Sequence, residues 1–100
     1  MRVIFSAQAK VSLRGIALYI ARDNKPRAIS FVGELRRKAN DIGRNPLAYP
    51  LVPRFAERGI RRRVFRDYLI FYRADDEAVY IVHILHGAQD YEALLFSAKN

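Results

Sequence analysis

The apolar residues of this chain change their spacing once, and that switch limits the folds open to it. From Ala7 to Ile42 they recur at steps of three and four, the spacing of an amphipathic helix face. From Ile60 to His86 they gather in short runs rich in β-branched and aromatic residues. Helices that precede strands, rather than alternate with them, predict an α+β fold with a mostly antiparallel sheet packed against a helical hairpin.

The first helix is expected from Ala7 to about Arg22, with Ala9, Leu13, Ile16, Ala17 and Ile20 facing inward. It follows a short apolar strand, Arg2 to Phe5, and Ser6 suits its N-cap. Asp23-Asn24-Lys25-Pro26 ends it, and Pro26 fits the first turn of a second helix that runs to about Ile42 on Ala28, Val32, Leu35, Ala39 and Ile42. So short a link makes the pair an antiparallel hairpin. Asn45 to Arg58, with Pro46, Pro50 and Pro53, reads as an ordered loop without regular structure. Its Leu47, Tyr49, Leu51, Val52 and Phe55 should pack down on the sheet or the helices. Three strands follow, Ile60–Arg66, Tyr68–Arg73 and Ala78–His86, the last apolar on both faces and therefore covered on both. A short C-terminal helix from Gln89 to about Ala98 completes a β-α-α-β-β-β order, and residues 1–100 are expected to form a single domain.

Charge narrows the partners. A formal net charge of +8 on 100 residues calls for something anionic: nucleic acid, an acidic protein or a membrane surface. No run approaches the ~18 apolar residues of a membrane span, and the N-terminus lacks a signal-peptide core. With no cysteine there is neither a disulfide framework nor thiolate chemistry. A soluble, cytoplasmic protein is expected.

The charge is concentrated in one place. Arg54, Arg58, Arg61, Arg62, Arg63 and Arg66 are opposed locally only by Glu57, and Tyr68-Leu69-Ile70-Phe71-Tyr72 follows directly. On a strand, Arg61 and Arg63 share one side and Arg62 takes the other. Two readings stand: a docking surface for an anionic partner, or a strand edge guarded by charge. Tyr68 and Tyr72 share a strand face, yet direct, sequence-specific nucleic-acid binding is not expected. His83 and His86, three apart, should point to opposite faces, and with no converging ligands neither a metal nor a cofactor is expected.

The order and spacing of several segments resemble the ParE branch of the ParE/RelE toxins of bacterial type II toxin–antitoxin systems. These segments are Ser6-Ala7-Gln8-Ala9 after the opening strand, Leu13 and Ile16 with Tyr19-Ile20, and Asp23-Asn24-Lys25-Pro26 with Ala28 and Phe31. They continue with Asn45-Pro46, Gly59-Ile60-Arg61, Tyr68-Leu69-Ile70-Phe71-Tyr72, the strand Val79 to Leu85, and His86-Gly87-Ala88-Gln89-Asp90. The resemblance implies a RelE/ParE-like fold and a toxin neutralised by a cognate, ParD-like antitoxin whose C-terminal segment wraps it, in a hetero-oligomeric complex. It also implies a target. ParE-like members resemble inhibitors of DNA gyrase, whereas RelE-like members cut messenger RNA on the ribosome.

Such a nuclease needs a proton acceptor, a cation for the phosphoryl charge and a donor for the leaving oxygen. Arg61, Arg63 and Arg66 could supply cations. The other polar positions of RelE-like sequences fall at about Leu69, Gln89 and Leu95, with Tyr91 one helical turn from the last. The resemblance therefore favours a non-enzymatic gyrase inhibitor, with RelE-like mRNA cleavage as the alternative and a toxin fold retained only as an antitoxin partner as a third reading. The expected target- or antitoxin-binding residues are Arg58, Arg61, Arg62, Arg63, Arg66, Tyr72, Gln89 and Asp90, with no catalytic residue among them.

Overall fold

The computed structural model describes residues 1–87. The expected helix after Gln89 lies outside them, as do Gln89, Asp90, Tyr91 and Leu95. The elements are β1 (Arg2–Phe5), α1 (Ala7–Ala21), α2 (Lys25–Asp41), β2 (Arg61–Phe65), β3 (Tyr68–Ala74) and β4 (Ala78–His86). The sheet order is β1-β4-β3-β2; β1 runs parallel to β4, and the other pairs are antiparallel. The fold is α+β, as the spacing switch predicted.

Local chemistry sets the helix boundaries. Ser6 turns the chain from β1 into α1 with three bonds. Its Oγ accepts from Ala9 N at 3.0 Å, its N–H donates to Ile81 O at 2.9 Å, and its hydroxyl donates to Val82 O at 2.9 Å. One residue thus caps a helix and welds it to β4. Asn24 does the corresponding work for α2, its Oδ1 accepting from Arg27 N at 3.0 Å, with Pro26 in the first turn.

Alternation on β3 divides the core. Ile70 and Tyr72 face the helices and pack with Leu13, Phe31, Leu35 and Ile42; Leu69 and Phe71 face the other way and pack with Val52, Phe55 and Leu85. β4 contributes to both layers, Val79, Ile81 and Ile84 to the first and Leu85 to the second. This is why its sequence is apolar on both faces. Among the described residues no helix is long and apolar enough to cross a membrane.

The segment after α2 departs from the expected irregular loop. Ile42–Arg44 and Pro53–Arg58 are 3₁₀ turns, the second opened by Pro53 and closed by Gly59 in the left-handed region, φ 71°. Phe55 is buried beneath the second turn, which covers the outer layer of the sheet. The first turn brings Gly43 against the N-terminus so closely that a Cβ there would sit 2.4 Å from Met1 O.

Candidate functional site: an arginine-rich hairpin and a helical groove

The basic hairpin is real, but its arginines do different work on its two sides. Arg61 pairs with Tyr72 and Arg63 with Ile70 across β2–β3, so both project towards the helix-covered side. There they bond to the chain itself. Arg61 Nη1 donates to Tyr49 O at 2.6 Å, and Arg63 Nη1 donates to Lys38 O at 2.8 Å. Lys38 lies in the last turn of α2, where carbonyls lack helical donors and a cation is favoured. Arg63 also stacks over the Tyr49 ring at 4.9 Å. Each guanidinium has five N–H donors, so both retain donors for an outside acceptor.

Tyr72 was expected on the binding surface and is instead fully buried. Its hydroxyl donates to Pro46 O at 2.5 Å, and burial pushes its pKa up. Tyr49 meets it edge-on at 6.5 Å. Tyr72, Tyr49, Arg61 and Arg63 together pin residues 46–49 to the sheet. The reason is register: a strand face under a helical layer takes its aromatic residues inward.

On the other side of β2, Arg62 pairs with Phe71, and Arg54 and Arg58 are exposed on the adjoining 3₁₀ turn. At the hairpin tip Arg66 takes φ 53°, an uncommon value for a residue with a side chain, in the two-residue turn between Phe65 and Tyr68. Its Nε lies 3.9 Å from Glu34 Oε1 and its guanidinium 5.5 Å over Phe65. Glu34 is held chiefly by Arg27 at 2.7 Å, and that bond draws its carboxyl below the usual range. The structure thus gathers Arg58 and Arg62 on the outer side, and Arg61, Arg63 and Arg66 on the helix side.

His83 and His86 do not diverge as a three-residue spacing predicts. A register slip between Phe71 and Tyr72 leaves Val82 without a partner on β3 directly before His83, and at such a bulge side chains stop alternating, which re-aims His83 towards α1. His83 Nδ1 comes within 3.2 Å of Ser12 Oγ on α1, and the His86 ring stands edge-on to Tyr68 at 5.3 Å. Burial lowers the His83 pKa. Among the described residues no three His, Asp or Glu side chains converge as metal ligands would.

A second surface escaped the sequence reading. Between α1 and α2, on the side away from the sheet, runs an almost wholly apolar groove of about 550 Å³ walled by Ala17, Leu18, Ala28, Ile29, Val32 and Gly33. Leu18 is 65% and Ile29 78% exposed. Lys25 and Arg36 stand at its margin, and Lys10 and Arg14 line its continuation; among the described residues no acidic one lines either part. The signal was present in the sequence as apolar residues lying off the inward stripes: Leu18 and Ile29.

A family model described as the ParE toxin of the type II toxin–antitoxin system, parDE, matches residues 3–91. Among solved structures, the chain is similar to one from the chromosomal ParDE toxin–antitoxin system of P. aeruginosa, with TM-score 0.70 and 17% identity over 86% of this chain and 95% of that one. It is also similar to one from the RelBE2 toxin–antitoxin complex of Mycobacterium tuberculosis, with TM-score 0.64 and 27% identity over 88% of this chain and 92% of that one. No curated protein matches the chain in sequence.

Proposed function

The chain belongs to the ParE toxin family of type II toxin–antitoxin systems, and on that premise we propose that it is a cytoplasmic, non-enzymatic inhibitor of DNA gyrase held inactive by a cognate ParD-like antitoxin. The observation that carries the antitoxin half of this reading is the α1–α2 groove. An apolar trough with exposed Leu18 and Ile29 and only basic residues at its margins suits an amphipathic helix with acidic flanks. Arg54 and Arg58, exposed on the 3₁₀ turn, and Arg62, beside them on the outer side of the sheet, present positive charge where an anionic surface of the target would meet it. Against a nuclease stands Leu69, the buried residue at the position where RelE-like sequences carry an arginine.

Two assays test the two halves. Ile29→Asp places a charge on a 78%-exposed residue, so it should leave the fold intact and weaken antitoxin binding by at least roughly tenfold, from the apolar burial lost. Unchanged affinity by calorimetry would remove the groove from the interface. For the target, the purified chain should block gyrase supercoiling and accumulate cleaved DNA. Intact supercoiling together with cut ribosome-bound mRNA would overturn the gyrase reading in favour of the RelE-like one, to which the RelBE2 likeness lends its weight.

A further inference from the structure

A third concavity lies apart from both surfaces, a cleft of about 780 Å³ at the hairpin-tip end of the sheet. One wall is the α1 face bearing Gln8, Ser12, Ile16 and Tyr19; the other is the end of β4 with His83 and His86, and Tyr68 stands between them. β1 stops at Phe5, opposite Ile81, so beyond that register the β4 edge has no neighbouring strand among the described residues. Gly15 lines the α1 wall, and a Cβ built on it meets nothing within 4 Å. The volume falls within the ~300–1,000 Å³ typical of small-ligand sites.

The lining has a definite chemistry. Tyr19, Tyr68, Ile16 and Ile84 offer flat apolar surface, while the Gln8 amide, the Ser12 hydroxyl and the His83 imidazole offer donors and acceptors at its edges. The Ser12 hydroxyl sits 3.0 Å from Gln8 O and 3.2 Å from His83 Nδ1, and burial disfavours the charged form of that imidazole. Among the described residues no lysine or arginine lines the cleft and Asp67 does, so an anion inside it would meet a carboxylate and no counter-charge. Cations stand just beyond. Arg66 precedes Asp67 of the lining, and Arg27 lies 5.1 Å over the Phe31 ring, which packs 5.5 Å from the Tyr68 ring; both arginines flank Glu34, at 3.9 and 2.7 Å, so a phosphate there shares them with that carboxylate. The matching ligand has a neutral, planar, polar-edged head and an anionic tail.

We propose that this cleft binds a nucleotide, the base lying against Tyr68 between α1 and β4 and the phosphate meeting Arg66 and Arg27 at the mouth. Base stacking and edge hydrogen bonds hold the head, as on other aromatic platforms. A mononucleotide and one unit of a single strand share this chemistry, and the test distinguishes the two sources. The site is separate from the groove, so it stands or falls independently of the antitoxin and gyrase readings.

The test uses the isotope-labelled full chain titrated with AMP, adenosine, inorganic phosphate and a short oligoadenylate, followed by amide shifts. AMP should move Gln8, Ser12, Gly15 and His83 saturably, adenosine should move the same set more weakly, and phosphate alone should not. Gly15→Leu favours the helix and fills the cleft, so it should retain the fold and weaken AMP by at least roughly tenfold. Arg66→Ala should weaken AMP and leave adenosine unchanged. Tighter, salt-dependent binding of the oligonucleotide identifies a strand as the source, and equal affinity identifies the mononucleotide. AMP shifts absent from this set, or unaltered by Gly15→Leu, or reproduced by phosphate, overturn the proposal. So does a tryptophan-bearing peptide that moves these amides where AMP does not.

Discussion

Arg63→Ala separates an arginine that holds the fold together from one that serves a partner. In the structure Arg63 is half-buried, donates to Lys38 O at 2.8 Å and stacks on Tyr49 at 4.9 Å. A charged group bonded to a carbonyl contributes about 1.5–3 kcal/mol, and a cation–π contact about 0.5–1 kcal/mol. Partial exposure argues for the lower ends, so truncation should cost about 2 kcal/mol, or ~8–16 °C in Tm for a domain of this size. Arg62→Ala, on the opposite side of the same strand, should stay within about 0.5 kcal/mol. Arg63→Lys should recover less than half the loss, because an ammonium carries the charge without the planar stacking face. Thermal melts followed by circular dichroism at low and high salt provide the readout, and the Arg63 effect should persist in salt because its acceptor is a part-buried neutral carbonyl. Should Arg63→Ala melt within about 2 °C of wild type, the fold role argued for this arginine is wrong.

Three further outcomes follow from geometry already given. Gly43→Ala forces a Cβ to 2.4 Å from a backbone carbonyl that cannot rotate away, and should destabilise by about 1–3 kcal/mol in denaturant melts. Tyr72→Phe strips Pro46 O of its donor and should cost about 1–3 kcal/mol with no change in secondary structure. His83 has a folded pKa below its ordinary 6.5, so the unfolded chain binds the proton first. Stability should therefore fall as pH drops from 6.5 towards the folded value and level off below it, a slope that His83→Gln should remove.

What could be read from the residues followed how local the cause was. Ser6 announces α1 and Pro26 announces α2 because helix starts depend on neighbours within a turn, and β4 was bounded correctly at Ala78–His86 by its apolar run. Alternation told which arginines share a side, but which side the helices cover depends on the pairing of Arg63 with Ile70, a tertiary fact. For the same reason Tyr72 looked like surface and proved to be core. The 3₁₀ turn at Pro53–Arg58 was hidden because three prolines suggest irregular chain, while what stabilises the turn is Phe55 buried against a distant sheet face. The facing of His83 was misplaced because a register slip directly before it breaks the alternation, which parity arguments cannot foresee. The groove was overlooked because Leu18 and Ile29 fall off the stripes that fill the core, and apolar residues there are informative through their clustering in space.

The bond from the Ser6 hydroxyl to Val82 O joins residues 76 apart, and among the described residues β1 pairs with β4 alone. The first strand must therefore wait for the last. The helical hairpin closes over a few residues and the β2–β3 turn over two, but completing the sheet requires joining β1 to Ala78–Ile81 across the whole intervening chain, which is the slow kind of contact. During synthesis the first five residues emerge long before their partner exists. A ParE-family chain built this way cannot complete its sheet until Ala78–Ile81 has been made, so the finished toxin, and with it the need for an antitoxin, comes only after β4 has left the ribosome.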